Sequence, residues 1–341
     1  MFYVGLDVHK RSISVCVLDD KGKVVRRDRF RDIDRLIDSF FLIPGPFQIC
    51  FEASCGYGCL FETLSKHAQS VQVAHPGLLR LIFRCKRKND RVDAHKLAKL
   101  LYLGEVPTVH VPHADVRAWR ELITFRRKLV EKRTRAKNGI RALLRTVGVI
   151  APRRPGLWTH DGLAWLMQLK FQQPLHALKR DILVDEIESL TRKLRRVEIA
   201  LKEYSAKHPA VALLRTIPGV GLRTAEAMVA FLDDPARFHS AKAVGAYFGL
   251  VPCQDQSGPH NRLGHITKEG SATVRHLLTE AVWQAVRRSA TVGAYFERIS
   301  HGEKDRRKIA VVATAHYLAR AMWSMMRHNR KWEEDPGIVA A

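Results

Sequence analysis

The order of the predicted elements in residues 1–104 is the feature that most constrains the fold. Short runs of apolar and β-branched residues, which predict strands, come three times in succession and then alternate with amphipathic helices. The predicted order is strand, strand, strand, helix, strand, helix, strand, helix. Strands joined through helices favour parallel pairing, because the chain must cross back over the sheet before the next strand begins. The N-terminal part of the chain is therefore predicted to be an α/β domain.

Two of these predicted strands end in a carboxylate. Asp7 follows the apolar run that starts at Phe2, and Glu52 closes the buried run that starts at Phe47. The element order is that of the ribonuclease H-like fold, in which the first and fourth strands would be parallel neighbours about 4.8 Å apart. Asp7 and Glu52 would then emerge side by side at the carboxyl ends of their strands, where open α/β sheets bind ligands.

Two further acids lie at the start of the predicted helix 90–103. Asp90 and Asp93 share one face of a helical turn, and Asp93 is the better placed because Asp90 stands where the helix begins. Four crowded carboxylates repel one another, and a hard divalent cation would remove that penalty. Ligands that are all oxygen favour Mg²⁺ or Mn²⁺ over Zn²⁺. A structural alternative stays open, in which Asp90 and Asp93 only cap the helix and Glu52 is a surface turn acid.

The net charge of the chain points to a polyanionic partner. The 341 residues include 58 Lys and Arg against 34 Asp and Glu, which gives a net charge of +24 and a pI near 10.2. Such an excess is typical of proteins that bind DNA or RNA. A membrane partner is disfavoured, because no apolar run reaches the ~18 residues that a spanning helix needs. No signal peptide opens the chain, so we expect a cytoplasmic protein.

Much of this charge is concentrated in one predicted helix, 116–147. The helix carries eleven Lys and Arg but only two Glu, together with a discontinuous apolar face. A charged helical face is usually just solvated, but a face as one-sided as this favours contact with nucleic-acid phosphates. The predicted phosphate-binding residues are Arg126, Arg127 and Lys128.

The next long helix, from about residue 175 to 204, carries a heptad seam. Its apolar residues are spaced alternately four and three apart, which is the pattern of a coiled coil. The seam residues are Leu183, Ile187, Leu190, Leu194, Val197, Leu201 and Tyr204. They fit either an antiparallel hairpin with the basic helix or contact with another subunit, and the pattern does not choose between the two.

The C-terminal part is predicted to be mainly helical, with a helix-hairpin-helix turn. Between two apolar stretches, Ile217-Pro218-Gly219-Val220-Gly221 has the pattern of such a turn. Gly219 and Gly221 would let backbone N–H groups approach a phosphate at a helix N-terminus. A plain helical corner is the alternative.

A polar stretch, 253–270, is too long and too polar for a simple connector, and it contains Ser257, Arg262 and Lys268. It interrupts the apolar helices of the C-terminal part, so we expect a loop there. The predicted domains are 1–112, 113–205 and 206–330, followed by a tail at 331–341.

Several short motifs of the chain occur together in one known family. In the N-terminal part they are Gly5-Leu6-Asp7-Val8-His9-Lys10, Glu52-Ala53-Ser54-Cys55-Gly56-Tyr57-Gly58 and Asp90-Arg91-Val92-Asp93-Ala94. In the C-terminal part they are Ile217-Pro218-Gly219-Val220-Gly221 and Gln256-Ser257-Gly258, with Gly264 and Ile266-Thr267-Lys268 following. In this order, over nearly the whole chain, they resemble the DEDD transposases of insertion-sequence family 110. Ser54-Cys55 departs from that family, which usually has Thr-Gly there.

The resemblance implies a RuvC-like N-terminal domain and a C-terminal transposase domain that supplies Ser257 as a nucleophile. It also implies a composite site, in which Asp7, Glu52, Asp90 and Asp93 meet the serine of another domain, from a different subunit of a dimer or tetramer. A bridge RNA encoded beside the gene would guide the enzyme to donor and target DNA in a prokaryotic cytoplasm. A phosphoserine link to DNA would conserve the phosphoester bonds, so no ATP is expected, and the chain has no P-loop motif.

Ser257 needs partners for that chemistry. Arg262 and Lys268 are near enough in sequence to hold phosphate oxygens, and either His260 or a hydroxide bound to the metal of the acidic cluster would take the serine proton. Two other functions stay open. One is a metal-dependent RuvC-like endonuclease or junction resolvase, in which water attacks and Ser257 is incidental. The other is a non-catalytic, basic nucleic-acid-binding protein whose acids are structural.

Overall fold

A computed structural model of the chain describes residues 1–54, 56–82, 90–154, 156–258 and 260–335. The described chain forms two compact units, of which the first is Met1–Arg117 and the second begins at Ala118. None of the helices in these ranges combines the length and the apolar character needed to cross a membrane.

The first unit has the predicted order of strands and helices, with one helix added. Its elements are β1 (Phe2–His9), β2 (Ser12–Leu18), β3 (Val24–Phe30), α1 (Ile33–Phe40), β4 (Phe47–Glu52), α2 (Tyr57–Leu64), β5 (Ser70–Ala74), α3 (Pro76–Ile82) and α4 (Asp90–Leu103). The added helix is α3, which follows β5 directly. The α/β prediction for this part of the chain is confirmed.

The five strands form one mixed sheet in the order β3-β2-β1-β4-β5. Strand β1 pairs with β2 antiparallel and with β4 parallel, and the parallel register sets Gly5 opposite Cys50 and Leu6 opposite Phe51. The predicted parallel pairing of the first and fourth strands is thus confirmed. A mixed sheet of this order is consistent with a ribonuclease H-like domain.

The two faces of the sheet are covered by different helices, because alternate residues of a strand point to opposite faces. On one face, Val4 and Leu6 lie in a core with Leu36 of α1 and Leu64 of α2. On the other face, Cys50 packs against α4 in a second cluster. Burial raises the pKa of the Cys50 thiol to about 12, so this cysteine is a packing residue.

The second unit is helical apart from one pair of strands. Its elements are α5 (Ala114–Thr146, which begins in the first unit), α6 (His160–Gln168), α7 (Pro174–Ser205), α8 (Pro209–Leu214), α9 (Leu222–Leu232), α10 (Ala241–Tyr247), β6 (Pro252–Ser257), β7 (His260–Ile266), α11 (Ala272–Ala285), α12 (Ala290–Ser300) and α13 (Arg307–His328). Helices α8 to α13 enclose one large apolar core, in which residues such as Met228, Phe248, Leu278 and Leu318 have no exposed surface.

The two long helices, α5 and α7, pack antiparallel to each other. Gly139 of α5 lies against Leu183 of α7, and Arg126 of α5 bonds Glu198 of α7, so the residue numbers fall along one helix as they rise along the other. The heptad residues Leu190 and Leu194 share a buried cluster with α5. The seam of α7 is therefore covered within the chain, which is the hairpin arrangement of the two that the pattern allowed.

Part of the predicted tail is bound to the second unit. The backbone N–H of Trp332 donates to Oγ1 of Thr216 at 3.0 Å. Glu334 accepts from the Ser289 hydroxyl and from the backbone N–H of Thr291, at 3.0 and 2.8 Å, and so caps the first turn of α12. Residues 332–335 are thus bound to the helices of the second unit.

Candidate active site

Asp7 and Glu52 lie at matching positions on two neighbouring parallel strands. The register pairs Gly5 with Cys50, and each acid lies two residues further along its strand. Gly5 and Cys50 both face α4. Because side chains two residues apart point to the same face of a sheet, both carboxylates project from the face that α4 covers.

Helix α4 brings its first turn to this end of the sheet. Gly5 permits the close approach, because a side-chain carbon at that position would lie 2.1 Å from the carbonyl oxygen of Ala94. Tyr102, near the end of α4, packs edge-on against Tyr3, near the start of β1. The helix therefore runs antiparallel to β1, and Asp93 in its first turns lies at the end of the sheet that carries the two strand acids.

The three described acids differ in exposure. The side chain of Asp7 is 13% exposed, and its Oδ2 lies 3.1 Å from Nε2 of His9 on the same face of β1. Asp93 is more open and accepts a hydrogen bond from the Lys96 ammonium at 3.0 Å. Glu52 is exposed. Asp7 is thus the acid that the fold encloses most.

Asp90 is the first residue of α4, but its side chain lies outside the described residues. Among the side chains that are described, no three of the types His, Cys, Asp and Glu stand close enough together to hold a metal ion. The metal site built from all four acids therefore stays a prediction.

A buried hydroxyl adds to the polar character of this end of the sheet. Ser14 on β2 is the cross-strand partner of Asp7 and is 2% exposed, and its Oγ has no hydrogen-bond partner among the described residues. Buried hydroxyls nearly always have a partner. The carboxylate and hydroxyl oxygens of Asp7 and Ser14 are of the kind that Mg²⁺ or Mn²⁺ prefers, although His9 and Lys96 also contact the acids here. We did not predict Ser14, although a serine inside an apolar strand is a signal that could have found it.

Ser257 lies at the end of a β-hairpin, where we had predicted a loop. Strands β6 and β7 pair antiparallel, and Ser257 is in register with His260 across the tip. Gly258 follows Ser257 with φ +57°, a left-handed conformation that suits glycine. Both strands are almost wholly solvent-exposed, so no apolar face marked them in the sequence. The hairpin presents the Ser257 hydroxyl to solvent.

The base of this hairpin is fixed to the helical core. Gly249 allows the chain to return closely, since a side-chain carbon there would lie 2.3 Å from the backbone nitrogen of Glu269. Arg275 of α11 donates to the carbonyl oxygens of Phe248, at 3.1 Å, and of Glu269. The hairpin therefore projects from a rigid base.

The two predicted phosphate-binding cations of this region lie on and beside the hairpin. Arg262 stands on β7 opposite Asp255, and it is exposed. Lys268 follows β7 with φ +57°, and its backbone N–H donates to the carbonyl oxygen of Gly249 at 3.2 Å. Both side chains are open to a ligand, but neither is in register with Ser257.

The turn at residues 217–221 joins α8 to α9, as the sequence predicts, but its two glycines differ. Gly219, with φ +90°, packs on α11, and a side-chain carbon there would lie 2.4 Å from the backbone nitrogen of Ala285. Gly221 is the N-cap of α9, and no described atom comes within 4 Å of its own side-chain position. The space beside Gly221 is therefore open, whereas Gly219 packs against α11.

The predicted phosphate-binding residues of α5 are largely occupied by acids. Arg126 donates to Glu198 through Nε and Nη2, at 2.8 and 2.5 Å, and Arg127 donates to Glu131 at 2.8 Å. Lys128 is exposed. The pairing of Arg126 depends on an acid 72 residues away in the chain, which helix periodicity does not reveal.

The charge of Arg126 also acts on Glu226, an acid to which the sequence analysis assigned no role. Glu226 of α9 has no exposed surface and lies 2.9 Å from Arg223. Burial raises the pKa of the Glu226 carboxyl, while the Ser205 hydroxyl, Arg223 and Arg126 lower it. These interactions connect α5 and α7 with α9, so the role of Glu226 is structural.

Two family models match this chain, one in its N-terminal part and one in its C-terminal part. The model of the DEDD transposases of IS110, described as "Transposase", matches residues 4–149. The model described as "Transposase IS116/IS110/IS902 family" matches residues 211–297. The first match contains the acid-bearing sheet and α4, and the second contains the Ser257 hairpin.

Relatives match along almost the full chain. A "Probable family 20 transposase" of Pseudomonas aeruginosa is 28% identical over 332 residues, which cover 95% of this chain and 96% of the relative. The "Transposase for insertion sequence element IS1328" of Yersinia enterocolitica is 26% identical, with 94% and 95% covered. The "Transposase for insertion sequence element IS1111A" of Coxiella burnetii is 26% identical, with 96% and 90% covered.

The two family models define the class, because both describe transposases. The protein is therefore an enzyme of DNA transposition. Both family models belong to the IS110 group of transposases, and the three relatives, which match along almost their whole length, are also named as transposases. The chain belongs to the IS110 family of DEDD transposases, the enzymes of insertion sequences.

Proposed function

We propose that this transposase exchanges DNA strands through a covalent link between Ser257 and DNA, while Asp7, Glu52, Asp90 and Asp93 hold Mg²⁺ or Mn²⁺. The observation that supports the proposal most is the placement of three acids, from β1, β4 and α4, at one end of the sheet. A divalent ion bound there would stabilise the negative charge that develops on phosphate oxygens.

In the proposed reaction, Oγ of Ser257 attacks the phosphorus of a DNA phosphodiester and loses its proton. The bond from phosphorus to one strand breaks, and the oxygen of the released strand takes up a proton as a hydroxyl. The hydroxyl of another strand then attacks the phosphoserine, which restores a phosphodiester and frees the serine. The number of phosphoester bonds is conserved, so no nucleotide hydrolysis is required.

The residues around Ser257 support this step. A serine hydroxyl is a poor nucleophile until a base removes its proton. His260 is the cross-strand neighbour of Ser257 and accepts that proton in our proposal. The exposed cations Arg262 and Lys268 neutralise the phosphate oxygens as charge develops on them. The backbone N–H at Gly221 is a further phosphate contact, as in a helix-hairpin-helix.

The partners in this proposal are donor and target DNA, a bridge RNA that selects both, and further copies of the chain. A composite site would bring the acids of one subunit to the Ser257 of another in a dimer or tetramer. The seam residues Leu190 and Leu194 of α7 are covered by α5 of the same chain. Contacts between subunits therefore need another surface.

The test is chemical. Wild-type protein mixed with guide RNA and cleavable DNA should leave, after proteolysis, a peptide that carries DNA on Ser257. Ser257→Ala should still bind RNA and DNA but form no adduct. The matched control is Gln256→Ala, an exposed neighbour on the same hairpin, which should keep the adduct.

The outcomes separate the competing functions. An adduct on another residue, or strand exchange by Ser257→Ala, would overturn the assignment of the nucleophile. Metal-dependent cleavage without any adduct would indicate an endonuclease or junction resolvase. Binding with neither cleavage nor exchange would indicate a non-catalytic nucleic-acid-binding protein.

A further inference from the structure

A cleft lined by cations lies between α5, α6 and α7, away from the cations that we predicted from the sequence. Its volume is about 530 Å³. The charged side chains that line it are Arg133 and Lys137 of α5, and Arg192, Arg195 and the single acid Glu188 of α7. Four cations thus face one acid, and the excess of positive charge is local to the cleft.

The acid of this cleft does little to neutralise it. Glu188 and Arg192 are 3.9 Å apart, and their side chains are 55% and 69% exposed. Ion pairs between exposed side chains at such distances contribute little. This contrasts with Arg126 and Arg127 nearer the start of α5, which are bonded to carboxylates at 2.5 to 2.8 Å.

Lys137 of the cleft is crowded by Arg133 within the cleft and by Arg141 beyond its lining. Lys137 and Arg141 both lie over the ring of Trp158, at 4.9 and 5.3 Å from its centre. Burial lowers the pKa of the Lys137 ammonium, and the charges of Arg133 and Arg141 lower it further. Holding like charges together has an electrostatic cost, which a bound polyanion would relieve.

We propose that this cleft binds the sugar–phosphate backbone of a nucleic-acid strand. Arg133, Lys137 and Arg141 follow one another at intervals of one helical turn, about 6 Å along the axis. Such a row suits a chain of phosphates better than an isolated anion. Arg192 and Arg195 face it from α7, so a strand in the cleft would contact both helices. The inference rests on the proposed function only in that the ligand is a nucleic acid.

The experiment compares two triple variants that remove the same charge. The cleft variant removes three cations that line the cleft and do not stack on Trp158, by the substitutions Arg133→Gln, Arg192→Gln and Arg195→Gln. Lys132→Gln, Arg135→Gln and Lys193→Gln remove three exposed cations from the same helices outside the cleft. Binding of a single-stranded RNA, a single-stranded DNA and a duplex DNA is measured by fluorescence anisotropy over a range of salt concentrations.

The cleft variant should flatten the dependence of log K on log salt by about 2 for a single strand, since each neutralised phosphate contributes about 0.7. The control variant should keep the wild-type slope. A flatter slope with RNA alone would assign the cleft to RNA. A flatter slope with one form of DNA alone would assign it to that DNA. A flatter slope with all three ligands would show that the cleft binds the backbone they share. Equal slopes for the wild type and both variants would overturn the proposal.

Two additions keep the result unambiguous. Lys137→Met retains an apolar stem against Trp158 while removing the charge, so it should reduce the salt slope without lowering thermal stability. An unchanged slope in this well-folded variant would contradict the proposal.

The Ser257 adduct assay is run in parallel. A changed slope with no wild-type adduct would refute the serine mechanism and keep the cleft, whereas an adduct with an unchanged slope would refute the cleft alone.

Discussion

Gly5 decides how closely α4 approaches the strand that carries Asp7. It lies beneath α4 with no side chain, and the carbonyl oxygen of Ala94 occupies the space that a side chain would need. The same strand carries Asp7 two residues later, on the same face. A single glycine thus brings the first turns of α4 to the strand acids, and any side chain at position 5 would push the helix away from them.

Gly5→Ala should lower the free energy of unfolding by about 1–3 kcal/mol, the usual cost of overpacking a core. Thermal and urea unfolding would measure it. Gly45→Ala is the control, because the nearest atom to its new methyl group would be the Phe2 ring at 3.5 Å. Equal stability of Gly5→Ala and the wild type would contradict the close contact between β1 and α4.

Asp7→Asn should leave the fold intact, because the side chains are nearly isosteric, but should abolish strand exchange. A bound cation stabilises the transition state by several kcal/mol, and its loss should lower the rate of strand exchange by at least about 10³-fold. Recombination assays with titrated Mg²⁺ and Mn²⁺, alongside circular dichroism, would measure both effects. Full recombination by this variant would remove Asp7 from the site.

Glu334 gives the fold a predictable pH dependence. Burial alone would raise the pKa of its carboxyl, but hydrogen bonds from Thr291, Ser289 and Trp332 outweigh this and lower it to about 2. The charged form is therefore stabilised by folding. Its contribution is complete above about pH 4.5, the ordinary pKa of the group, and is lost as the pH falls towards 2.

Glu334→Gln should accordingly lower stability by about 1–2 kcal/mol at pH 7 through weaker hydrogen bonds. The difference from the wild type should shrink as the pH falls below 4.5. Melting curves at pH 7, 4 and 2.5 would measure this, with the exposed neighbour Glu333→Gln as the control. A difference that stays constant over this range would show that the Glu334 charge contributes nothing.

At the scale of elements, the pairing of α5 with α7 organises the middle of the chain. The seam of α7 is apolar at heptad spacing, and α5 covers it through Leu129 against Leu190 and Leu194. Glu198 meanwhile takes up Arg126, one of the cations predicted to bind phosphate. The same pairing that buries the seam thus places Arg126 against a carboxylate, whereas Arg133 lines the cleft.

Replacing Leu190 and Leu194 with Asp should cost several kcal/mol of stability, because two charges would enter an apolar seam. The mass of the particle should not change, since the seam is internal. Sedimentation and thermal unfolding would separate the two effects. The control variant, Leu178→Asp with Ile182→Asp, changes positions on α7 that are 56% and 59% exposed and should remain stable. Smaller particles with unchanged stability in the seam variant would contradict the internal hairpin.

At the scale of the whole molecule, the proposed chemistry is divided between two compact units. The acids belong to the first unit and Ser257 to the second. If the composite site forms between subunits, a mixture of Asp7→Asn and Ser257→Ala proteins should recover strand exchange that neither variant has alone. The recombined product would be measured after co-assembly. A mixture as inactive as each variant would place the acids and the serine of each site in one chain.

The sequence by itself determined the local elements wherever one face is apolar. Alternating apolar residues marked the strands of the first unit, and their order implied that β1 and β4 are parallel, which set Asp7 beside Glu52. The basic helix and the heptad helix were equally clear, since helical periodicity is a local property. The β6–β7 hairpin was missed, because both of its faces are polar and exposed and only cross-strand register defines it.

Only the tertiary structure decided what each of these surfaces meets. A heptad seam shows that one face of a helix is apolar, but it does not show whether α5 or another chain covers that face. A row of arginines in the sequence shows where positive charge lies but not whether it is paired. Arg126 is paired because the fold brings Glu198 to it from 72 residues away. The cations around Lys137 face a single acid, Glu188, which lies 3.9 Å from Arg192. Periodicity is a property of neighbours in sequence, whereas pairing and burial depend on residues that the fold brings together from distant parts of the chain.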